Sequence, residues 1–148
     1  MPLDPSVIGR EAAPVRHTVE ARHVLAFAAA IGDASPVYRS LEAARAAGHP
    51  GIPAPPTLFT AFQGGDVREG LDMDWARILH GSEEVTHHRP LHVGDEILVT
   101  NRIAEVFEKT GRDGGVMDFL VIETAARSPE GEPVYTVRRT VVVKRVAD

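Results

Sequence analysis

Residues 52–65, Ile-Pro-Ala-Pro-Pro-Thr-Leu-Phe-Thr-Ala-Phe-Gln-Gly-Gly, constrain the fold more than any other stretch of the chain. Leu58, Phe59, Ala61 and Phe62 leave hardly a polar face, so a helix formed here must be covered on most sides. Pro55 and Pro56 suit its first turn, where a missing N–H costs nothing. Thr57 offers an alternative cap, and Gly64-Gly65 supply the release at the far end. The expectation is a short buried helix whose N-terminal turn keeps free backbone N–H groups and a partial positive charge, a place to hold a carbonyl oxygen. Pro56, Thr57 and Leu58 are therefore candidate binding residues. Two successive prolines remove two N–H groups, which leaves Thr57 and Leu58 as the donors.

Upstream, residues 14–19 alternate as a short strand after a loose N-terminal tail. In 20–31 the apolar positions Ala21, Val24, Leu25, Ala28 and Ile31 recur at helical spacing, with Gly32 where a left-handed C-terminal residue is wanted. Asp33-Ala34-Ser35-Pro36 is turn-like, and 41–47 is an alanine-rich helix ending at Gly48. An irregular segment, 66–76, follows the central stretch, with Trp75 expected to anchor it. From Arg77 onward the period changes to two: 77–90, 96–108, 116–127 and 134–146 are expected as four strands of an antiparallel meander. Tyr135, Val137, Val141 and Val143 share one face of the last of these, opposite Thr136, Arg138 and Thr140. The predicted architecture is one α+β domain, a curved antiparallel sheet wrapped round a central helix, which is the hot-dog fold.

Charge and composition remove several function classes. A net charge of −5 argues against a general binder of nucleic acid or anionic membrane, since neither polyanion is attracted to an acidic surface. The absence of cysteine rules out disulfides, thiolate metal sites and a cysteine nucleophile, and makes a reducing cytoplasm the default compartment. No run is long and apolar enough to span a bilayer, and the first ten residues carry no apolar leader core.

The segments Phe27-Ala-Ala-Ala-Ile-Gly-Asp-Ala-Ser-Pro-Val-Tyr38, Gly51-Ile-Pro-Ala-Pro-Pro-Thr57, Leu79-His80-Gly81, His88-Arg89-Pro90-Leu91 and Val93-Gly94-Asp95 resemble, in order and spacing, the MaoC-like hydratase and dehydratase family. The likeness is to its N-terminal-type, fatty-acid-synthase-like dehydratase domain and covers nearly the whole chain. It implies a hot-dog fold, usually paired as a homodimer or as a heterodimer with another hot-dog subunit. It also implies acyl thioesters of coenzyme A or acyl carrier protein as ligands, no cofactor, and addition or removal of water at a 2-enoyl bond. That chemistry needs a carboxylate and an imidazole flanking one water, plus donors for the thioester oxygen. The family supplies an Asp and, five positions later, a His. Asp33 matches the Asp, but Tyr38 occupies the His position. A phenol, with a pKa of about 10, is a poor base at neutral pH, where an imidazole is poised. The resemblance thus suggests a degraded site that pairs with an intact one.

Each candidate also has a structural role to fall back on. Asp33 makes an Asx turn with no chemistry required, and Tyr38 packs as an aromatic ring. His80, beside Gly81, either replaces the missing imidazole from another strand or is a hydrogen-bonded structural histidine. His87 and His88 point to opposite faces of a strand, so at most one, with His88 the family-like choice, serves a given site. The spacing of His80, His87 and His88 forms no recognised metal-ligand set, and no metal is expected.

Overall fold

Alternation in the second half of the chain builds most of the molecule. In the computed structural model, which describes residues 3–145, five strands form one sheet: β1 (Val15–Thr18), β2 (Ile78–His87), β3 (Glu96–Thr110), β4 (Val116–Arg127) and β5 (Pro133–Lys144). Their spatial order is β1-β3-β4-β5-β2, with every neighbouring pair antiparallel. Register shifts at Ile103/Glu105, His80/Ser82 and Ala126/Arg127 bend the strands and curl the sheet. This is the curved sheet of a hot-dog fold.

Only β3, β4 and β5 form the expected meander. β2 joins at the far edge beside β5, with Val85 opposite Val137 and His87 opposite Tyr135. The reason lies at β3, whose other side is already taken by β1. Beyond Pro90 the backbone turns away from β2 and pairs with earlier chain: Ala54 N–H donates to Leu91 O (2.8 Å), Val93 N–H to Ile52 O (2.8 Å) and Gly94 N–H to Val19 O (2.8 Å).

The N-terminal tail is packed rather than loose. A 3-10 turn at Pro5–Val7 buries Leu3 and Val7. β1 covers only the start of β3, and residues 9–12 satisfy the next stretch of that edge: Gly9 N–H donates to Ile103 O (2.8 Å) and Ile103 N–H to Arg10 O (2.9 Å). Trp75 begins the 3-10 turn Trp75–Arg77, but its side chain lies outside the described residues.

Helix α1 (Ala21–Ala30) starts at a reciprocal cap in which the Glu20 carboxylate accepts from the His23 backbone and His23 Nδ1 accepts from Glu20 N–H (3.2 Å). It ends at Gly32, whose φ of +73° lets Asp33 N–H reach Ala28 O at 2.9 Å. Val24 and Ala28 are fully buried, whereas Leu25 and Ile31 on the same apolar stripe stay exposed. Helix α2 (Leu41–Ala46) is capped by Ser40 Oγ, which accepts from Ala43 N–H at 3.2 Å.

The central stretch departs most from expectation. It forms a single 3-10 turn, Leu58–Ala61, not a helix over 52–65. Its bonds are i to i+3, such as Phe62 N–H to Phe59 O at 3.0 Å. Gly64 and Gly65 do not take left-handed backbone. They allow close approach instead: a Cβ on Gly64 would sit 2.8 Å from the Asn101 side chain, and one on Gly65 2.7 Å from Ala12 Cβ. The Asn101 amide donates to Gly65 O (2.9 Å) and Thr124 Oγ1 donates to Asn101 Oδ1 (2.7 Å), which ties the segment to the sheet.

A four-residue 3-10 turn rises roughly 8 Å, whereas a twelve-residue strand runs roughly 40 Å, so one turn cannot fill the trough of this sheet. Two separate clusters fill its ends. One gathers Val24, Leu58, Phe59, Phe62, Ile97 and Tyr135; the other gathers Leu3, Val67, Met73, Ile103, Leu120 and Val143.

Candidate active site

Between the two clusters lies a cavity of about 330 Å³. Phe59, Phe62 and Tyr135 form its wall on one side, Val67, Ile78 and Val141 on the other. Polar groups stand between them: Asn101, Thr124, His80, Arg139, Gln63 and Arg68. Most are already held within the chain. Besides the Asn101–Thr124 pair, Arg68 Nε donates to Asp66 (2.9 Å), Arg139 Nε donates to Glu83 (3.1 Å) and Gln63 Nε2 donates to Thr60 O (2.7 Å). The wall therefore carries little unbalanced charge.

His80 sits on β2 opposite Val141, a core-facing residue, and so projects to the cavity side of the free edge strand, where it stays exposed. Gly81 forms the β2 bulge. A Cβ there would meet Val142 Cγ2 at 2.9 Å and Thr140 O at 3.2 Å, so close packing accounts for the glycine. His88 is on the opposite side from the cavity: its Nε2 lies 3.1 Å from Thr136 Oγ1, on the outward face of β5. His87 faces inward, its ring 5.9 Å from Phe59.

Asp33 and Tyr38 both stand in the connection between α1 and α2, and neither belongs to the wall of this cavity. Asp33 is half-buried and its Oδ1 accepts from Ser35 N–H at 2.9 Å, the Asx turn that the sequence allows. Tyr38 ends the 3-10 turn Pro36–Tyr38 and packs against the first core cluster. Burial, and secondly the negative charge of Asp33, hold its phenol above the ordinary value of 10.0. Tyr38 is therefore a neutral hydrogen-bond donor at physiological pH, not a base.

At the central turn, Pro56 and Thr57 are exposed and Leu58 is buried. The Leu58 N–H is not free for a ligand, since it donates to Pro55 O at 2.9 Å. Thr57 occupies the cap position with no side-chain cap bond, and its carbonyl accepts from Thr60 N–H (3.2 Å) and Thr60 Oγ1 (2.9 Å). Four residues are too few to sum a useful dipole, so the anion-holding helix end expected from the sequence is not formed.

The chain also places residues at the cavity that the motifs do not single out, namely Tyr135, Asn101, Thr124 and Arg139. A signal for them exists in the alternation. Asn101 falls between Val99 and Ile103, Thr124 between Ile122 and Ala126 and Arg139 between Val137 and Val141, each a polar side chain among apolar inward neighbours. Among the described residues no three His, Asp or Glu side chains converge as a metal site, and no helix is long and apolar enough to cross a membrane.

The family model for the FAS1-like dehydratase domain region matches residues 6–137. A UPF0336 protein of Saccharopolyspora erythraea is 36% identical over 154 aligned residues, covering 100% of this chain and 96% of that protein. Among solved structures, the C-terminally truncated HadBC (3R-hydroxyacyl-ACP dehydratase) complex of Mycobacterium tuberculosis superimposes with a TM-score of 0.76 at 23% identity, covering 92% of this chain and 96% of that one. The ChsH1-ChsH2 complex of the same organism gives 0.77 at 24% identity, covering 93% and 90%.

Proposed function

The chain belongs to the FAS1-like dehydratase family, and from that premise we propose that it binds acyl thioesters as the degraded-site subunit of a two-chain enoyl hydratase or 3-hydroxyacyl dehydratase. The observation that carries this reading is Tyr38 itself, a phenol held neutral, five positions after Asp33, where the chemistry needs an imidazole. Hydration adds a water hydroxyl to C3 of the enoyl group and a proton to C2. One group must take a proton from the water, another must return one to C2, and donors must hold the thioester oxygen as it gains enolate charge. Asp33 can orient the water, and Tyr38 can donate to it. Neither replaces an imidazole that exchanges protons near pH 7.

A second hot-dog subunit supplies that imidazole on this reading. The outer edge of β2 supports the pairing, for it is a ten-residue strand with no neighbour on one side and mostly exposed side chains. The solved relatives named above as two-chain complexes are consistent with it. The ligand's acyl chain enters the cavity beside Phe59, whose volume lies at the lower end of small-molecule sites. Co-expression with a MaoC-type subunit that keeps the Asp and His pair is the test. The expected result is a heteromer that hydrates crotonyl-CoA, with the isolated chain binding thioester but turning it over little or not at all. Brisk hydration by the isolated chain, with no heteromer formed, overturns the reading.

One observation favours a second reading, a self-sufficient homodimer: His80 stands exposed on the same free edge, where a second copy can bring it towards Asp33. Full activity in an Asp33→Asn, His80→Ala double variant rules that arrangement out.

A further inference from the structure

We propose that the cavity selects a short acyl chain ending in a carboxylate, the acyl part of a dicarboxylic thioester, and that Arg139 is the residue that recognises its far end. The proposal rests on the acyl-thioester reading above and names its substrate class. Arg139 stands on the inward face of β5 between Val137 and Val141, with Ile122 of β4 beside it on one side and Glu83 of β2 on the other. Apart from Glu83 these neighbours are apolar, so the guanidinium is a charged point in a hydrocarbon stretch of the wall. Its side chain is 29% exposed, which leaves it within reach of a ligand. Nε and Nη2 both donate to one oxygen of Glu83, whereas Nη1 has no hydrogen-bond partner among the described residues.

The pair with Glu83 does not exhaust Arg139. A guanidinium carries five N–H donors and no acceptor, and a carboxylate is its acceptor-only counterpart. His80 lies opposite Val141, the next inward residue of β5, so an imidazole borders the same stretch of wall. Asp66, the carboxylate of the described wall, is itself held by Arg68, whose backbone N–H and Nε each donate to its Oδ1 at 2.9 Å. Each guanidinium thus has a carboxylate beside it, and the preference comes from the unspent donors of Arg139 rather than from a general positive field. Phe59, Ile122, Val137 and Val141 cover the methylene groups that lead to it. A volume of about 330 Å³, small for a ligand site, suits a short chain with a polar end.

The test compares glutaryl-CoA with pentanoyl-CoA on the full chain, acyl groups of equal length that differ in the terminal carboxylate, and glutarate monomethyl ester with methyl pentanoate beside them. The natural chain is expected to bind glutaryl-CoA about tenfold tighter, the low end of what a charge-assisted hydrogen bond contributes, because Arg139 is partly exposed. Arg139→Gln should bind pentanoyl-CoA as before and lose the preference. Glu83→Gln, which removes the competing carboxylate, should widen it. An ion pair with a purely structural role would change neither ratio. Melting temperatures check folding, and Glu83→Gln carries the test should Arg139→Gln melt early. Equal affinities in the natural chain, a preference that survives in Arg139→Gln, or one that narrows in Glu83→Gln overturns the proposal. If the monoester shows the preference and neither thioester binds, the carboxylate subsite stands and the acyl-thioester reading fails.

Discussion

Replacing Gly65 with alanine tests the way the central segment is seated on the sheet. The new Cβ would lie 2.7 Å from Ala12 Cβ and 3.0 Å from the Ala13 carbonyl oxygen. Neither is the end of a flexible side chain, so the backbone of one segment has to move. Overpacking of this kind costs about 1–3 kcal/mol. In a chain of this size each kcal/mol lowers the melting temperature by about 2–4 °C, which gives an expected drop of about 2–12 °C. A helix-ending glycine would also resist substitution, but its penalty would be conformational and indifferent to residue 12. Ala12→Gly separates the two, because it deletes the nearer methyl and leaves only the carbonyl contact. Calorimetric melting and urea titration of Gly65→Ala, Ala12→Gly and the double variant complete the cycle. The double variant should recover roughly half of the loss, a coupling within the 0.5–3 kcal/mol of about that range seen for touching residues. Effects that add to within about 0.5 kcal/mol would refute the close-approach argument.

Three further outcomes follow from particular residues. Tyr38→His places an imidazole five positions after Asp33, and isolated-chain hydration of crotonyl-CoA should rise by about 10²-fold or more, the contribution of a positioned general base, with a pH profile that reports an imidazole; unchanged activity would remove Asp33 and Tyr38 from the site. His92 is held below its ordinary value of 6.5, chiefly by burial, with His49 and Arg89 adding to the effect and Asp95 opposing it. A depressed folded pKa means that the unfolded chain binds the proton more readily, so stability is full above 6.5 and is lost as pH falls from there through the lowered folded value. Melting temperatures from pH 7.5 to 5 should therefore decline, and His92→Gln should flatten that decline. Leu58, 1% exposed in the first core cluster, should cost about 2–5 kcal/mol on truncation to alanine, read by urea titration.

Strand positions were the most legible part of the sequence because β-rich runs stand between clear turn signals: β4 runs over Val116–Arg127, between the turns at 110–115 and 128–131. The end of α1 was legible for a local reason, Gly32 and the Asx turn at Asp33. Pairing was less so. Nothing within β2 specifies that β5 is its neighbour, because that choice depends on β1 having taken the free side of β3. The central stretch misleads because its apolar content suggests a helix, whereas the chain closes one 3-10 turn and its apolar side chains are buried without one. At the site, Asp33, Tyr38, His80 and Gly81 were visible as motif positions. Tyr135 was visible only as a core residue on the inward face of the last strand.

The shortness of the central turn links these features. A longer helix would bury more apolar surface and merge the two core clusters, yet it would fill the trough in which Asn101, Thr124 and Tyr135 now face a cavity. The close approaches of Gly64 to Asn101 and of Gly65 to Ala12 seat the chain on the sheet just after that turn, and the turn lines the cavity with Phe59, Thr60 and Phe62. The candidate acid–base groups lie on other elements, Asp33 and Tyr38 on the α1–α2 connection and His80 on the free sheet edge at the cavity wall. On the proposed reading, such a division follows when one chain contributes the pocket and a second chain, docked along β2, contributes the imidazole.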